Sequence, residues 1–340
     1  MKKISVIVLA VMVVAGSLAF AEGSKEKSST QPQASESESS TDMQSENAQQ
    51  TEKDNNISFV EVSWTDIAST TAATQIVLDA LGYDTESTTV SVPIAYEGMK
   101  EDDADIFLGN WMPSMKSIAE PYFDSGEVVN LTTNLTGAKY TLAVPTYVAE
   151  GGLQNFADIA KFRDKLNGKI YGIEAGNDGN QLIQKMIAEN AFGLKGFTLV
   201  ESSEAGMLAQ VKGAIPQKQW IVFLGWEPHP MNAYFDMTYL KGGDDYFGPN
   251  YGAATVHTNV RKGFTEDYPN VTKMLKNQKF TLEMENEIMA AIDDGATPHD
   301  AALQWLKDNP SILNGWLEGV TTADGGKPGL PAVKKALGVN

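Results

Sequence analysis

Along residues 57–224, short apolar runs alternate with longer stretches in which apolar positions recur every three or four residues. The short runs predict strands and the longer stretches amphipathic helices. The predicted strands fall at 57–63, 88–92, 104–108, 140–144, 169–173, 197–200 and 220–224. Helical stretches lie between them, among them 66–81, closed by Gly82, and 181–190. Further on the pattern becomes helical, at 264–276, 282–294 and 298–307. Strand and helix in alternation predict an α/β architecture with largely parallel sheets. No repeat of 20 to 50 residues is visible, so two α/β lobes are expected rather than a solenoid or propeller.

The first residues have a different pattern. Lys2 and Lys3 precede an apolar stretch over 4–15, and the small-residue site Ala19-Phe20-Ala21 follows before Glu22. That order predicts a signal peptide over 1–21. The stretch is shorter than the roughly 20 apolar residues that a membrane span needs. Residues 22–56 are Ser, Glu, Gln and Asn-rich without an aromatic residue. They cannot bury enough surface to offset ordering entropy, and are expected to form a disordered linker.

Composition narrows the chemistry. The chain has no cysteine, so disulfides, a Cys metal site, a thiol nucleophile and a lipid attached at cysteine are all excluded. Export without a lipid anchor predicts a periplasmic location. Asp and Glu number 44 against 26 Lys and Arg. That balance argues against a nucleic-acid partner and would steer cations favourably, though it also serves solubility. Of three histidines, only His229, between Pro228 and Pro230, lies near a candidate site, and as a rigid loop residue it needs no catalytic role. No His-Glu-x-x-His or Gly-x-Ser-x-Gly occurs, so an enzyme is disfavoured, and no cofactor or metal is expected.

In open parallel sheets, ligands bind beyond the carboxyl ends of the strands. That rule sorts the six tryptophans. Trp64, Trp111 and Trp226 are placed at strand exits, Trp220 at a strand start, and Trp305 and Trp316 in helical patterns typical of the core. Each strand-exit Trp alone could pack against a helix; three together suggest a site. The loop Gly176-Asn177-Asp178-Gly179-Asn180 could offer amides and a helix N-terminus to a polar group, or be a plain turn. It matches no phosphate-binding loop. Asp66 could be a helix N-cap. A cluster of indoles suits a cation with no hydrogen to donate, such as a trimethylammonium head. At about 2 kcal/mol for each desolvated contact, three or four rings could reach about 8 kcal/mol, or micromolar binding.

Five segments carry a family likeness: Ser63-Trp64-Thr65-Asp66; the stretch from Asp105 to Pro113; Lys139-Tyr140; the stretch from Gly172 to Asn180; and the stretch from Gly225 to Asn232. Together they resemble the choline-binding proteins of ABC importers, within the glycine betaine, choline and carnitine binding family. The resemblance implies a two-lobe periplasmic binding protein clamshell, each lobe a mostly parallel sheet flanked by helices. It acts as a monomer that hands its ligand to a membrane permease. It further implies that Trp64, Trp111, Tyr140 and Trp226 wall an aromatic box, and that Asp66 and Asn177 meet the choline hydroxyl. One lobe would comprise 57–134 with 232–340 and the other 135–231, and the box would be complete only when closed. Glycine betaine, carnitine and proline betaine share the cationic head. Their carboxylates would meet Asp66 as a like charge, so choline is the expected ligand.

Overall fold

The computed structural model describes residues 53–340, so the signal peptide and most of the linker lie outside the described residues. Nine strands form one sheet: β1 (Asn56–Glu61), β2 (Asp84–Thr89), β3 (Ile106–Met112), β4 (Val128–Pro145), β5 (Lys169–Tyr171), β6 (Thr198–Val200), β7 (Phe223–Glu227), β8 (Met237–Tyr239) and β9 (Ala253–Arg261). Their order is β2-β1-β3-β9-β4-β7-β5-β6, with β8 on β4. Parallel pairing holds at both ends, in β1 with β2 and β3, and in β5 with β6 and β7. Every antiparallel pairing involves β4 or β9. These two strands join the halves, because β4 pairs with β9 over its first part and with β7 and β8 over its last.

The helix Thr65–Leu81 follows β1 and packs under the sheet against the helices Leu282–Asp293, Pro298–Asp308 and Gly329–Leu337. It buries Ser69, Thr70 and Thr74, whose hydroxyls return to carbonyls one turn back, at 2.7 Å for Ser69 on Asp66 and 2.7 Å for Thr74 on Thr70. Such back-bonding lets polar side chains enter an apolar layer without losing a partner. Gly82 ends the helix in the left-handed region, φ 101°, and its N–H meets the carbonyls of Asp79 and Leu78.

Several strands lie away from where the apolar runs place them. β2 is the polar, largely exposed run Asp84–Thr89, an edge strand that needs no apolar face. Of the expected run 88–92 only Thr88 and Thr89 lie in it, and Val92 instead starts the helix Val92–Lys100, which has Pro93 in its first turn. β7 begins at Phe223 and extends through Trp226, while β3 extends through Trp111. Trp111 pairs with Val256 and Trp226 with Tyr140, so both lie on strand ends rather than in the loops beyond. The helix expected at 264–276 is two pieces, Phe264–Asp267 and Pro269–Asn277, divided where Pro269 restarts the turn.

The crossing into β9 is tight at Gly252. Its φ is +76°, and a Cβ there would collide with the backbone carbonyl of Tyr140. Gly252→Ala should therefore lower stability by roughly 2 kcal/mol or more in urea titration. An unchanged midpoint would mean that this approach constrains nothing.

Candidate functional site

The ends of β3 and β7, an inner stretch of β4, and the loops after β1 and β5 border one cavity, with about 260 Å³ of space between its atoms and open to solvent. All six residues expected at the site line it: Trp64, Asp66, Trp111, Tyr140, Asn177 and Trp226, with Ile173 and Asp178 completing the wall. The sheet order explains the meeting, since β3, β9, β4 and β7 are successive neighbours. Tyr140 stands 6.0 Å from Trp111 and 6.1 Å from Trp226, ring centre to ring centre, tilted by 59° and 81°. The other indoles lie elsewhere. Trp220 packs on Phe162, Trp316 is buried and donates to the Lys279 carbonyl at 3.2 Å, and half-buried Trp305 donates to Glu287 at 2.6 Å.

Asp66 is not the helix N-cap. Trp64 occupies that position, and its side chain caps nothing. Two residues on, in the first turn, the Asp66 carboxylate accepts the Trp111 indole N–H at 3.1 Å through Oδ2, while buried Oδ1 has no hydrogen-bond partner. On the opposite wall Asn177 caps the helix Asp178–Ala188, accepting the Asn180 N–H at 3.1 Å. Its Oδ1 also accepts the Tyr140 hydroxyl at 3.0 Å, and its Nδ2 donates to Asp178 at 3.0 Å, leaving one amide hydrogen.

Sequence reading missed three residues here. Asp178 is 2 % exposed, and its Oδ2 lacks a partner. Its place in a helix first turn is an ordinary one for an acid and gives no separate signal. Gly179 makes room for Tyr140, whose hydroxyl oxygen a Cβ there would strike. Glu174 accepts the Trp64 indole N–H at 2.9 Å across 110 residues of chain, a pairing that no local pattern encodes.

The electrostatics are one-sided. Burial, then the neighbouring charge of Glu204, pushes Asp66 up to about 7, against the opposing pull of His229. Burial pushes Asp178 to about 6. Glu174 is raised by burial, and Glu285, behind Asp66, is held well above the usual carboxylate range by burial and then by Asp66. No Lys or Arg is among the residues that line the cavity. Aromatic walls around carboxylates without a counter-ion can hold a cation that brings few hydrogens of its own.

An α/β frame whose joined halves meet at such a cavity defines a solute-binding protein. Residues 55–308 match the family described as the substrate binding domain of ABC-type glycine betaine transport systems, and the chain belongs to that family. It is 56% identical to an ABC-transporter choline binding protein solved in complex with choline, over 83% of this chain and 98% of that one, with a TM-score of 0.82. An ABC-transporter choline binding protein in an unliganded semi-closed conformation is 57% identical, over 84% and 99% of the two chains, with a TM-score of 0.77. The glycine betaine/carnitine transport binding protein GbuC of Listeria monocytogenes is 35% identical over 162 residues, 48% of this chain and 53% of that protein.

The raised Asp66 has a consequence that needs no ligand. Its folded value, about 7, lies above its ordinary 3.8, so the folded state holds a proton that the unfolded chain has released. Stability is therefore expected to fall as pH rises from about 4 to about 7. Asp66→Asn should remove this loss and stabilise the ligand-free protein at pH 8 by about 2 to 4 kcal/mol, read from denaturant titrations at pH 5 and pH 8. An equal effect at both values would mean that Asp66 does not titrate between them in the folded protein.

Proposed function

We propose that this chain is the extracytoplasmic binding protein of an ABC importer and that it captures choline, handing it unchanged to a membrane permease. The observation that carries the reading is the unpartnered Oδ1 of Asp66, 2 % exposed, in a cavity walled by Trp64, Trp111, Tyr140 and Trp226. The rings take the trimethylammonium head through their faces. The choline hydroxyl donates to Asp66 Oδ1 and accepts the remaining amide hydrogen of Asn177. Asp178, the second uncompensated carboxylate, adds attraction for the cationic head.

Glycine betaine fits less well, although the family description and the Listeria relative name it. Its carboxylate would face Asp66 and Asp178 with no lining Lys or Arg to reverse the sign, a repulsion of several kcal/mol at an effective dielectric near 20. The bonds from Glu174 to the Trp64 indole and from Glu204 to the Thr65 hydroxyl support a closed arrangement.

In this reading the lobes are 57–134 with the C-terminal part of the chain, and 135–231 extended forward. The pairing of β8 with β4 and the packing of Phe247 on Phe156 and Tyr140 support a return crossing at or after residue 232. In this reading the protein acts as a monomer in the periplasm, exported by residues 1–21.

Calorimetric titration with choline, glycine betaine and carnitine tests the reading. Choline should bind tightest. Trp111→Ala should weaken it at least about tenfold, while Trp305→Ala leaves it unchanged. Betaine binding as tightly as choline would overturn the role given to Asp66.

The pH dependence provides a second check. Below about 7 the empty site holds protons on Asp66, and below about 6 on Asp178, and a bound cation must expel them. The choline dissociation constant should therefore rise as pH falls from 8 to 5, by up to about tenfold per unit for each group. Asp66→Asn should flatten the upper part of that slope.

A further inference from the structure

Beyond the cavity, two carboxylates reach across to the start of the helix Thr65–Leu81. Glu174 follows β5 and Glu204 opens the helix Glu204–Ala214, both within the 135–231 lobe. Glu174 Oε1 takes the Trp64 indole N–H at 2.9 Å. Glu204 takes the Thr65 hydroxyl at 2.6 Å through Oε1 and the Thr65 backbone N–H at 3.3 Å through Oε2. Neither glutamate lines the cavity.

The start of the helix gains acceptors from these contacts. Its N-cap is Trp64, which has no oxygen to satisfy the first-turn amides, and no side-chain cap is made. An acid at this end also opposes the positive end of the helix dipole. Glu204 is itself held. His229 Nδ1 accepts the Met231 N–H at 2.9 Å, so the ring hydrogen sits on Nε2, which meets Glu204 Oε1 at 3.0 Å. The His229 ring stands 5.0 Å from Trp226. A chain of contacts therefore runs from one cavity wall, Trp226, through His229 and Glu204 to Thr65, next to Trp64 and Asp66.

We propose that Glu174 and Glu204 are positioning residues that clasp Trp64 and Thr65 across the cleft only when it is closed, setting the pose of the Trp64 wall and slowing release of the bound cation. The inference rests on the reading of the cleft given above. An open cleft would separate these pairs and leave all four groups to water, so the clasp adds to the closed, liganded state and nothing to the open one. It acts mainly on release, because contacts formed after encounter slow dissociation more than they speed association.

Thr65 isolates the effect, since Thr65→Val removes only the hydroxyl and Thr65→Ser keeps it. Stopped-flow tryptophan fluorescence with choline, together with thermal melts of the ligand-free and choline-saturated full chain, provides the readout. Thr65→Val should release choline roughly tenfold faster or more, at an unchanged association rate, while Thr65→Ser releases it at close to the native rate. The ligand-free melting temperature should be the same in all three, and the choline-induced rise should shrink in Thr65→Val alone. Glu174→Gln, which keeps an acceptor for the indole, should release choline more slowly than Glu174→Ala. If choline binds the unmodified chain but Thr65→Val releases it at the native rate, or if Thr65→Val lowers the ligand-free melt as much as the liganded one, the clasp is overturned and the choline reading survives. No choline binding by the unmodified chain overturns both.

Discussion

The cavity depends on buried carboxylates that no neighbouring cation compensates. Asp66 and Asp178 each accept a hydrogen bond, from Trp111 and Asn177, and each also buries an oxygen without a hydrogen-bond partner, with no Lys or Arg in the wall. Burying a carboxylate in this way is costly, and the empty protein reduces the cost by holding protons. On the proposed reading, a cation entering the cavity would supply the missing partner. The same wall chemistry sorts cations. Ring faces attract a charge but accept no strong hydrogen bonds, so an ammonium that must give up tightly held water loses more than it regains, whereas a trimethylammonium head gives up little.

The frame makes this arrangement possible by bringing distant segments to the middle of one sheet. Trp111, Tyr140 and Trp226 stand on β3, β4 and β7, and only β9 intervenes between the first two. β4 serves both halves, so Tyr140 is anchored in the strand that joins them and is paired directly to Trp226. Gly179 and Gly252 each leave space beside Tyr140 that a Cβ would fill, one at its hydroxyl and one at its carbonyl. The position of that ring is set by what is absent on both sides of it.

Much of this was readable from local pattern. The alternation of runs revealed the α/β class, and tryptophans near strand ends, with Asp66 and Asn177, marked the residues that share the cavity. β9 and the first part of β4 were not foreseen. The stretch from Val128 to Lys139 is interrupted by three register shifts and is largely polar, and strands that gain their partners only from distant segments show weak local periodicity. The position of β7 slipped for a related reason, because apolar residues at 220–222 precede the paired stretch and register is decided across strands. Glu174 and Glu204 were invisible because their partners lie 110 and 139 residues away.

Two carboxylates hold indole N–H groups, Asp66 that of Trp111 and Glu174 that of Trp64. A bond at the edge of an indole fixes the ring against rotation and leaves its faces free for a cation. In Asp66 one oxygen performs this orienting task and the other has no hydrogen-bond partner, so on the proposed reading a single side chain links the geometry of the wall to the charge of the site. That double use explains why the fold tolerates a buried acid that disfavours it at neutral pH. Replacing Asp66 with a residue better suited to burial would release Trp111 from its bond and remove the attraction in one step, an example of stability given up where function needs an unsatisfied group.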